Sequence, residues 1–566
     1  MDSLYEKKPW LKSYLPGVPS DIEIPVKSMG KFFDESVQKW TTKTAMIFYG
    51  RKVSYEELKD QIDRLATALD DLGIRKSDVI GILLLNSPAY VIVFYSLLKI
   101  GAIVSPVSPV YVSSEIKHQL EDSGAKAVIC QDILYHALEK TEINLKTVIL
   151  SNIGEYLPMM KKFMAKSILK GVYQKMALPP TDIYRKKGVY KLEELMRKYP
   201  PRPPVVDIDP KEDIALLPYT SGTTGKPKGV ILTHSNIIAS QALFLAFVGK
   251  VLEDGKEVIP AYMPFYHIAG LLQGMVISIL HGHKMIVISN PDIDVILSSI
   301  TQYSATYFLG PPSIYESLKD YEKTRRIDWK ELKFLTSGAD ALNDVTANDW
   351  YEVTGVKIHE FYGMTETVAV THGTPFSKPK LGSMGVPIPN TESAIVDPDR
   401  DEFLPSGEIG ELVVNGPQVT EKGYWNSPES TKECECYING ARWWRTGDLA
   451  RMDEDGYFFI YDRKRDLIKY KGLRIFAREV EEVLKTHPGI KEVGVVGVPN
   501  IKVGEDIKAM VVLESDFRGK LSEVDVIEYC KDKIAPYKVP KIVELLGELP
   551  KTDVGKVSRR ELREKE

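Results

Sequence analysis

Cysteine is scarce: Cys130, Cys434, Cys436 and Cys530 are the only four in 566 residues. That excludes a disulfide scaffold for so long a chain and fits a reducing, intracellular setting. Cys434-Glu435-Cys436 has no Cys or His pair at ligand spacing beside it, so it does not imply a metal site. A basic excess is missing too. Lys and Arg number 74 against 78 Asp and Glu, for a net charge of -4, and no nucleic-acid footprint is expected. Long apolar runs are absent. "AYVIVFYSLL" stops at Lys99 and "IAGLLQGMVISIL" ends at Leu280, both short of the roughly 20 residues that span a bilayer. The opening "MDSLYEKKPWLKSYLPGVPS" carries prolines and charges but no apolar signal core. These absences lead to the expectation of a soluble, cytoplasmic protein. At this length the chain needs more than one core.

What is present alternates. "SYEELKDQIDRLATALDDLG" (54–73) opens with Ser-x-x-Glu and spaces its apolar residues as a helix does. "DVIGILLL", "GAIVSPVSP", "GAKAVICQD" and "LKTVILSN" are short apolar runs bounded by turn residues. Strand, helix, strand at this spacing predicts an α/β fold with parallel sheet. From about Ser383, "GVPIPNTESAIVD", "GEIGELVVNG" and "GYFFIYDRKRD" turn often and predict a β-rich subdomain. After Arg465 a helix–strand–strand–helix pattern predicts a small, mobile α+β domain. The expected division is 1–464 and 465–566. Residues 157–176 set Lys161, Lys162, Lys166, Lys170 and Lys175 among Met, Phe, Leu, Ile and Val. As a basic amphipathic helix this segment would be suited to weak contact with an anionic membrane, or would simply be a surface helix of the core.

The chemistry begins at "YTSGTTGKPKGV", Tyr219 to Val230. Glycine, hydroxyl and lysine at this density suit a phosphate, because backbone N–H groups can converge on the anion. An apolar run precedes the loop and a helical pattern follows it, the arrangement expected of an anion site at a helix start. The kinase and GTPase loop is missing, however. Pro227 follows Lys226, and Gly222 and Gly225 stand only three apart. Four further stretches carry candidate groups: "EFYGMTET" with Glu366, a hard-oxygen ligand for Mg²⁺; "RWWRTGDLA" with Asp448; "DRKRDLIKYKGLRI"; and "LPKTDVGKVSRREL" near the end. Singly, most of these have a bland reading as solvated surface. Their order along the chain is what gives them weight.

In that order, with "PFYHIAG" and "TSGAD", the chain resembles the adenylate-forming superfamily of acyl-CoA synthetases, luciferases and peptide-synthetase adenylation domains. Within it the resemblance is greatest to long-chain fatty acid CoA ligases. The resemblance implies that Thr220, Ser221, Gly222, Thr223, Thr224, Gly225, Lys226 and Lys228 hold the ATP phosphates, with Thr220 and Glu366 reaching Mg²⁺. It implies Gly338, Ala339 and Tyr362 at the adenine, Gly363 among the ATP-binding residues, Thr365 at the α-phosphate, and Asp448 and Arg463 at the ribose. His267 would lie near the carboxylate substrate. Lys556 would bridge that carboxylate and the α-phosphate. Arg465 takes the hinge position, where relatives usually carry Lys or Asp, and Lys469, Lys471 and Gly472 lie on the loop for the CoA step.

The implied reaction joins a carboxylic acid to coenzyme A at the expense of ATP, through an acyl-adenylate, with AMP and pyrophosphate released. Acetate-activating relatives have tryptophan at the position of Gly363, so glycine there argues for a longer cavity and a medium- or long-chain fatty acid. A short or hydroxy acid such as hydroxybutyrate, an aryl acid, and free-standing loading of an acyl carrier protein are the alternatives. A homodimer is compatible with the sequence.

Overall fold

The computed structural model describes residues 5–159, 183–220, 226–471, 473–551 and 557–564. Expected features at 160–176, Ser221, Gly222, Thr223, Thr224, Gly225, Gly472 and Lys556 therefore lie outside the described residues. Internal packing groups the chain into two compact units: Lys8–Glu392 with Val414–Glu435, and Met1–Lys7 with Ser393–Val413 and Cys436–Glu566.

The larger unit is α/β, as the alternating pattern predicts. Its seven-stranded sheet runs Leu232–Thr233, Ile214–Leu216, Ile103–Pro106, Val79–Leu83, Ala127–Gln131, Thr147–Ser151, Val189–Lys191. Every neighbouring pair is parallel except the first. Strands buried on both faces read as continuous apolar runs, and all five residues of Val79–Leu83 and of Ala127–Gln131 are buried. The helix Tyr55–Asp71 starts where Ser54 accepts the Glu57 N–H. The run "AYVIVFYSLL" is the helix Pro88–Lys99, capped by Ser87 and buried from Pro88 to Leu98. Apolar on all sides, it is a core helix. Among the described residues no helix is long and apolar enough to cross a membrane. A second sheet joins Val258–Ala261, Lys284–Val287, Thr44–Phe48 and Arg51–Ser54. A third places Tyr307–Gly310, Phe334–Ser337 and His359–Tyr362 in parallel, then His372–Gly373 and Val386–Pro387 antiparallel.

The other unit has the expected β-rich part, in which Phe458–Arg463 pairs antiparallel with Ala441–Met452. Its α+β part has strands in the order Leu473–Ile475, Ile468–Tyr470, Gly504–Leu513, Ile490–Asn500, and Ile542–Leu546 lies parallel to Gly504–Leu513. Helices Ala477–Lys485 and Glu523–Lys531 bury Val480, Leu484, Val526 and Cys530 into that sheet's core with Val495, Ile507 and Val511.

Candidate active site

Ligands of open α/β sheets sit beyond the carboxyl ends of parallel strands, and in the third sheet that edge carries the expected residues. Thr336 pairs with His359 and Ser337 with Glu360, so Gly338–Ala339 and Tyr362–Gly363 leave adjacent strands side by side. A Cβ on Gly338 would stand 3.0 Å from the Phe361 carbonyl oxygen. Ala339 has φ +69°, Val368 +51° and Ala369 +80°. Left-handed conformation is uncommon outside glycine and an outlier for a β-branched residue, and such strain collects at functional sites. Thr365 opens the 3-10 turn Thr365–Thr367, and Glu366 within it is 5% exposed.

Gly363 has a reason of its own. A side chain there would meet the Ala369 oxygen at 2.1 Å and the Val370 nitrogen at 2.7 Å. The left-handed turn folds its backbone onto this residue, so any side chain here would require the Ala369–Val370 backbone to shift. Glycine at 363 thus has a backbone reason in this structure beside the one that a longer acyl cavity would give it.

The glycine-rich loop is closed by a hairpin. Thr220 pairs with Lys228 and Tyr219 with Gly229, and a Cβ on Gly229 would lie 3.0 Å from the Tyr219 ring. The Tyr219 hydroxyl donates to Asp122 Oδ2 at 2.6 Å, and His118 Nε2 lies 3.1 Å from the Pro227 oxygen. The helix anticipated directly after the loop starts only at His234, beyond the strand Leu232–Thr233, and Thr233 with Asn236 caps it. The loop is thus held at both ends as a hairpin, and at the helix start the Asn236 N–H is taken by Thr233 and the Ser235 N–H by the Pro210 oxygen. Lys226 is exposed. Lys228 donates to Ser430 Oγ at 2.6 Å.

His267 follows a segment pinned by Asn86, whose amide donates to the Met263 oxygen at 2.8 Å and accepts the Phe265 N–H at 2.8 Å. Beyond it, Gly270–Val276 is a π-helix, an irregularity frequent at functional sites. Gly270 is fixed by contact, since a Cβ would stand 2.2 Å from the Pro264 oxygen.

In the second unit Asp448 faces Arg463 across the sheet. The Arg463 Nε lies 3.1 Å from Asp448 Oδ1, with Asp448 buried and Arg463 half exposed. Burial, joined by the neighbouring Arg463, lowers the Arg465 guanidinium. Lys469 gives its backbone N–H to Glu505 at 2.6 Å, and Lys471 stands at φ +50° in the turn between Ile468–Tyr470 and Leu473–Ile475.

The profile of the AMP-binding enzyme family matches residues 33–425, and that of the AMP-binding enzyme C-terminal domain matches 479–556. The chain belongs to the AMP-binding enzyme family. It is similar to the long-chain-fatty-acid–CoA ligase of Bacillus subtilis, 36% identical over 100% of this chain and 99% of that one. Among solved structures it resembles ATP-bound MatB from Rhodopseudomonas palustris, with TM-score 0.78 and 26% identity over 95% of this chain and 99% of that one. It also resembles a long-chain-fatty-acid-CoA ligase, FadD1, from Archaeoglobus fulgidus, with TM-score 0.69 and 26% identity over 94% and 99%.

Two residues of this site went unread in the sequence. Tyr424 donates to Glu366 Oε1 at 2.6 Å, and Ser430 receives Lys228. Both lie in "GYWNSPES", whose aromatic and hydroxyl residues carry no local signal of a nucleotide.

Proposed function

We propose that this member of the AMP-binding family is an ATP-dependent acyl-CoA synthetase acting on a fatty acid, with long chains the preferred class. The observation that carries the reaction type is the pair Gly338–Ala339 and Tyr362–Gly363 at one strand-end edge, with buried Glu366 in the turn that follows. Full-length similarity to a long-chain ligase supports the acid class.

A carboxylate is a poor electrophile. Its oxygen attacks the α-phosphorus of ATP, an O–P bond forms, and the bond to pyrophosphate breaks. Displacement at phosphorus depends on positioning and charge neutralisation. The hairpin loop, through Thr220 to Lys228, grips the departing pyrophosphate. Thr220 and Glu366 supply hard oxygen donors of the kind Mg²⁺ takes alongside phosphates, and when bound the cation neutralises phosphate charge. Asp448 and Arg463 serve the ribose, Thr365 the α-phosphate and His267 the carboxylate end of the acid. Lys556 places a point charge between two anions that repel. In the second step the CoA sulfur bonds to the acyl carbon and AMP leaves with the former carboxylate oxygen. The boundary at 464/465 is the proposed turning point, with Lys469, Lys471 and Gly472 serving that step after rotation about Arg465. Weak binding of 157–176 to an anionic membrane, supported by its five lysines among apolar residues, is checked by co-sedimentation with anionic vesicles.

The deciding experiment is ATP–pyrophosphate exchange across acids from acetate to palmitate, with hydroxy and aryl acids included, followed by addition of CoA. Exchange and thioester formation strongest with long chains are expected. Strongest turnover with a short, hydroxy or aryl acid overturns the acid class. Exchange without thioester points instead to a carrier-protein loader.

A further inference from the structure

The segment from Gly423 to Thr431 is tied to the strand that leaves the phosphate loop. Tyr424 bridges Val230 antiparallel, the Trp425 N–H donates to the Gly229 oxygen at 2.8 Å, and the Ile231 N–H to the Gly423 oxygen at 2.9 Å. Gly423 has φ +69°, and a Cβ there would stand 2.2 Å from the Thr431 methyl. Thr431 Oγ1 accepts the Tyr424 N–H at 2.9 Å and donates to the Ser427 oxygen at 3.1 Å. The segment is therefore a closed, register-fixed turn. From it Tyr424 projects onto Glu366 at 2.6 Å, while Ser430 takes the Lys228 ammonium at 2.6 Å. The same ammonium lies 5.6 Å above the Tyr424 ring.

We propose that Tyr424 is a positioning residue for the divalent cation of this reaction. Its hydroxyl holds the Glu366 carboxylate through Oε1, so that the carboxylate is presented to the cation at a set direction. A ligating carboxylate is ordinarily oriented by an outer hydrogen bond, and losing that bond costs about 10–100-fold in metal affinity or activity. The phenol is suited to the task. It has a single proton, and the 2.6 Å contact gives that proton to Glu366. This inference rests on the assignment of Glu366 to the cation.

The test uses the full chain with ATP and Mn²⁺ as probe, read by electron paramagnetic resonance, for the unsubstituted protein, Tyr424→Phe and Glu366→Gln. Tyr424→Phe keeps the ring and its packing. Expected are Mn²⁺ binding weakened about tenfold, a raised apparent KM for Mg²⁺ in pyrophosphate exchange, and recovery of lost exchange as Mg²⁺ is increased. Unchanged Mn²⁺ affinity in a folded Tyr424→Phe protein whose Glu366→Gln counterpart binds weakly overturns the role of Tyr424 alone. A loss of exchange that added Mg²⁺ does not restore overturns it as well. Mn²⁺ affinity unchanged in both variants overturns the assignment of Glu366 and, with it, this inference.

Discussion

Arg559→Ala should be among the most damaging single changes in the second unit. The guanidinium gives Nη1 to Asp462 at 2.7 Å and to Asp466 at 3.2 Å, Nη2 to Glu481 Oε2 at 2.7 Å, and Nε to Glu481 Oε1 at 3.0 Å. The side chains it serves are 1%, 7% and 9% exposed. Alanine leaves three buried carboxylates facing one another, and removing one partner of a buried ionic cluster costs about 3–5 kcal/mol. Some of the charge stays answered. Arg563 donates to Asp466 at 2.7 Å, and the Arg478 and Val495 N–H groups donate to Asp462 and Glu481 at 2.9 Å each. The lower end, about 3 kcal/mol, is therefore expected, which lowers the unit's melting transition by roughly 6–12 °C. pH gives a signature. Burial raises Asp466, but Arg559 and Arg563 outweigh it and hold the carboxyl below its usual range. A depressed carboxyl contributes stability above its unfolded value and loses it as pH falls through the folded one, so the unsubstituted protein keeps this term from pH 8 to 5. In the variant the Asp466 carboxyl, without Arg559, rises, protonates more readily on acidification, and relieves its repulsion with its neighbours. The gap between the two proteins should shrink between pH 8 and 5. Calorimetry at both pH values with Arg559→Lys alongside, which keeps charge but not the fork, measures this. A shift under about 2 °C, or a gap that widens at pH 5, refutes the reasoning.

Lys556→Ala should abolish pyrophosphate exchange while sparing thioester formation from supplied acyl-adenylate and CoA; equal loss of both steps would sink the bridging role. In Glu193 the carboxyl is pushed up to about 7 by burial, with Ser151 and Asn152 partly opposing. A raised acid contributes stability that is complete below its unfolded pKa and is lost as pH rises through the folded one. Glu193→Gln should thus flatten the decline in stability between about pH 5 and 7, a term of order 2–3 kcal/mol, and melting curves at pH 5, 6 and 8 that stay parallel for the two proteins would contradict it. Gly363→Ala forces a Cβ to 2.1 Å from the Ala369 oxygen. It should reduce exchange at least tenfold for acetate and palmitate alike, since it moves backbone; a loss confined to long chains would assign Gly363 to the acyl cavity.

Legibility in the sequence followed range. The helix Tyr55–Asp71 and the strands Val79–Leu83 and Ala127–Gln131 are written in spacing and run length that each segment carries alone. The strand-end glycines and Glu366 were legible as ordered motifs, because each sits where a parallel strand stops. What stayed hidden is contact across distance. Tyr424 meets Glu366 from 58 positions away and Ser430 meets Lys228 from 202, and nothing local marks either as a partner. Gly363 was read only in part, for a related cause. The crowding at it comes from the Ala369 backbone six positions on, and that turn depends on left-handed Val368 and Ala369, residues whose types give no hint of the conformation.

The pairing of Lys228 and Glu366 with hydroxyls has a consequence for how the site works. A direct Lys–Glu ion pair would quench both charges, and each would have to be freed before it could meet a phosphate or a cation. Separating such a pair in a partly buried place is costly. Here one turn supplies a neutral partner to each: Ser430 accepts from the ammonium, and Tyr424 donates to the carboxylate. Hydrogen bonds to neutral groups orient a charge without cancelling it, so its field is kept for the ligand, and fixed charges aimed in advance need no reorganisation when the reaction charge develops. On the proposed roles of Lys228 and Glu366, the order of the turn, closed by Thr431 beneath Gly423, would bear on both ends of the phosphate chain at once. Loosening it would then weaken the proposed grip on pyrophosphate and on the cation together, although none of its backbone need touch either.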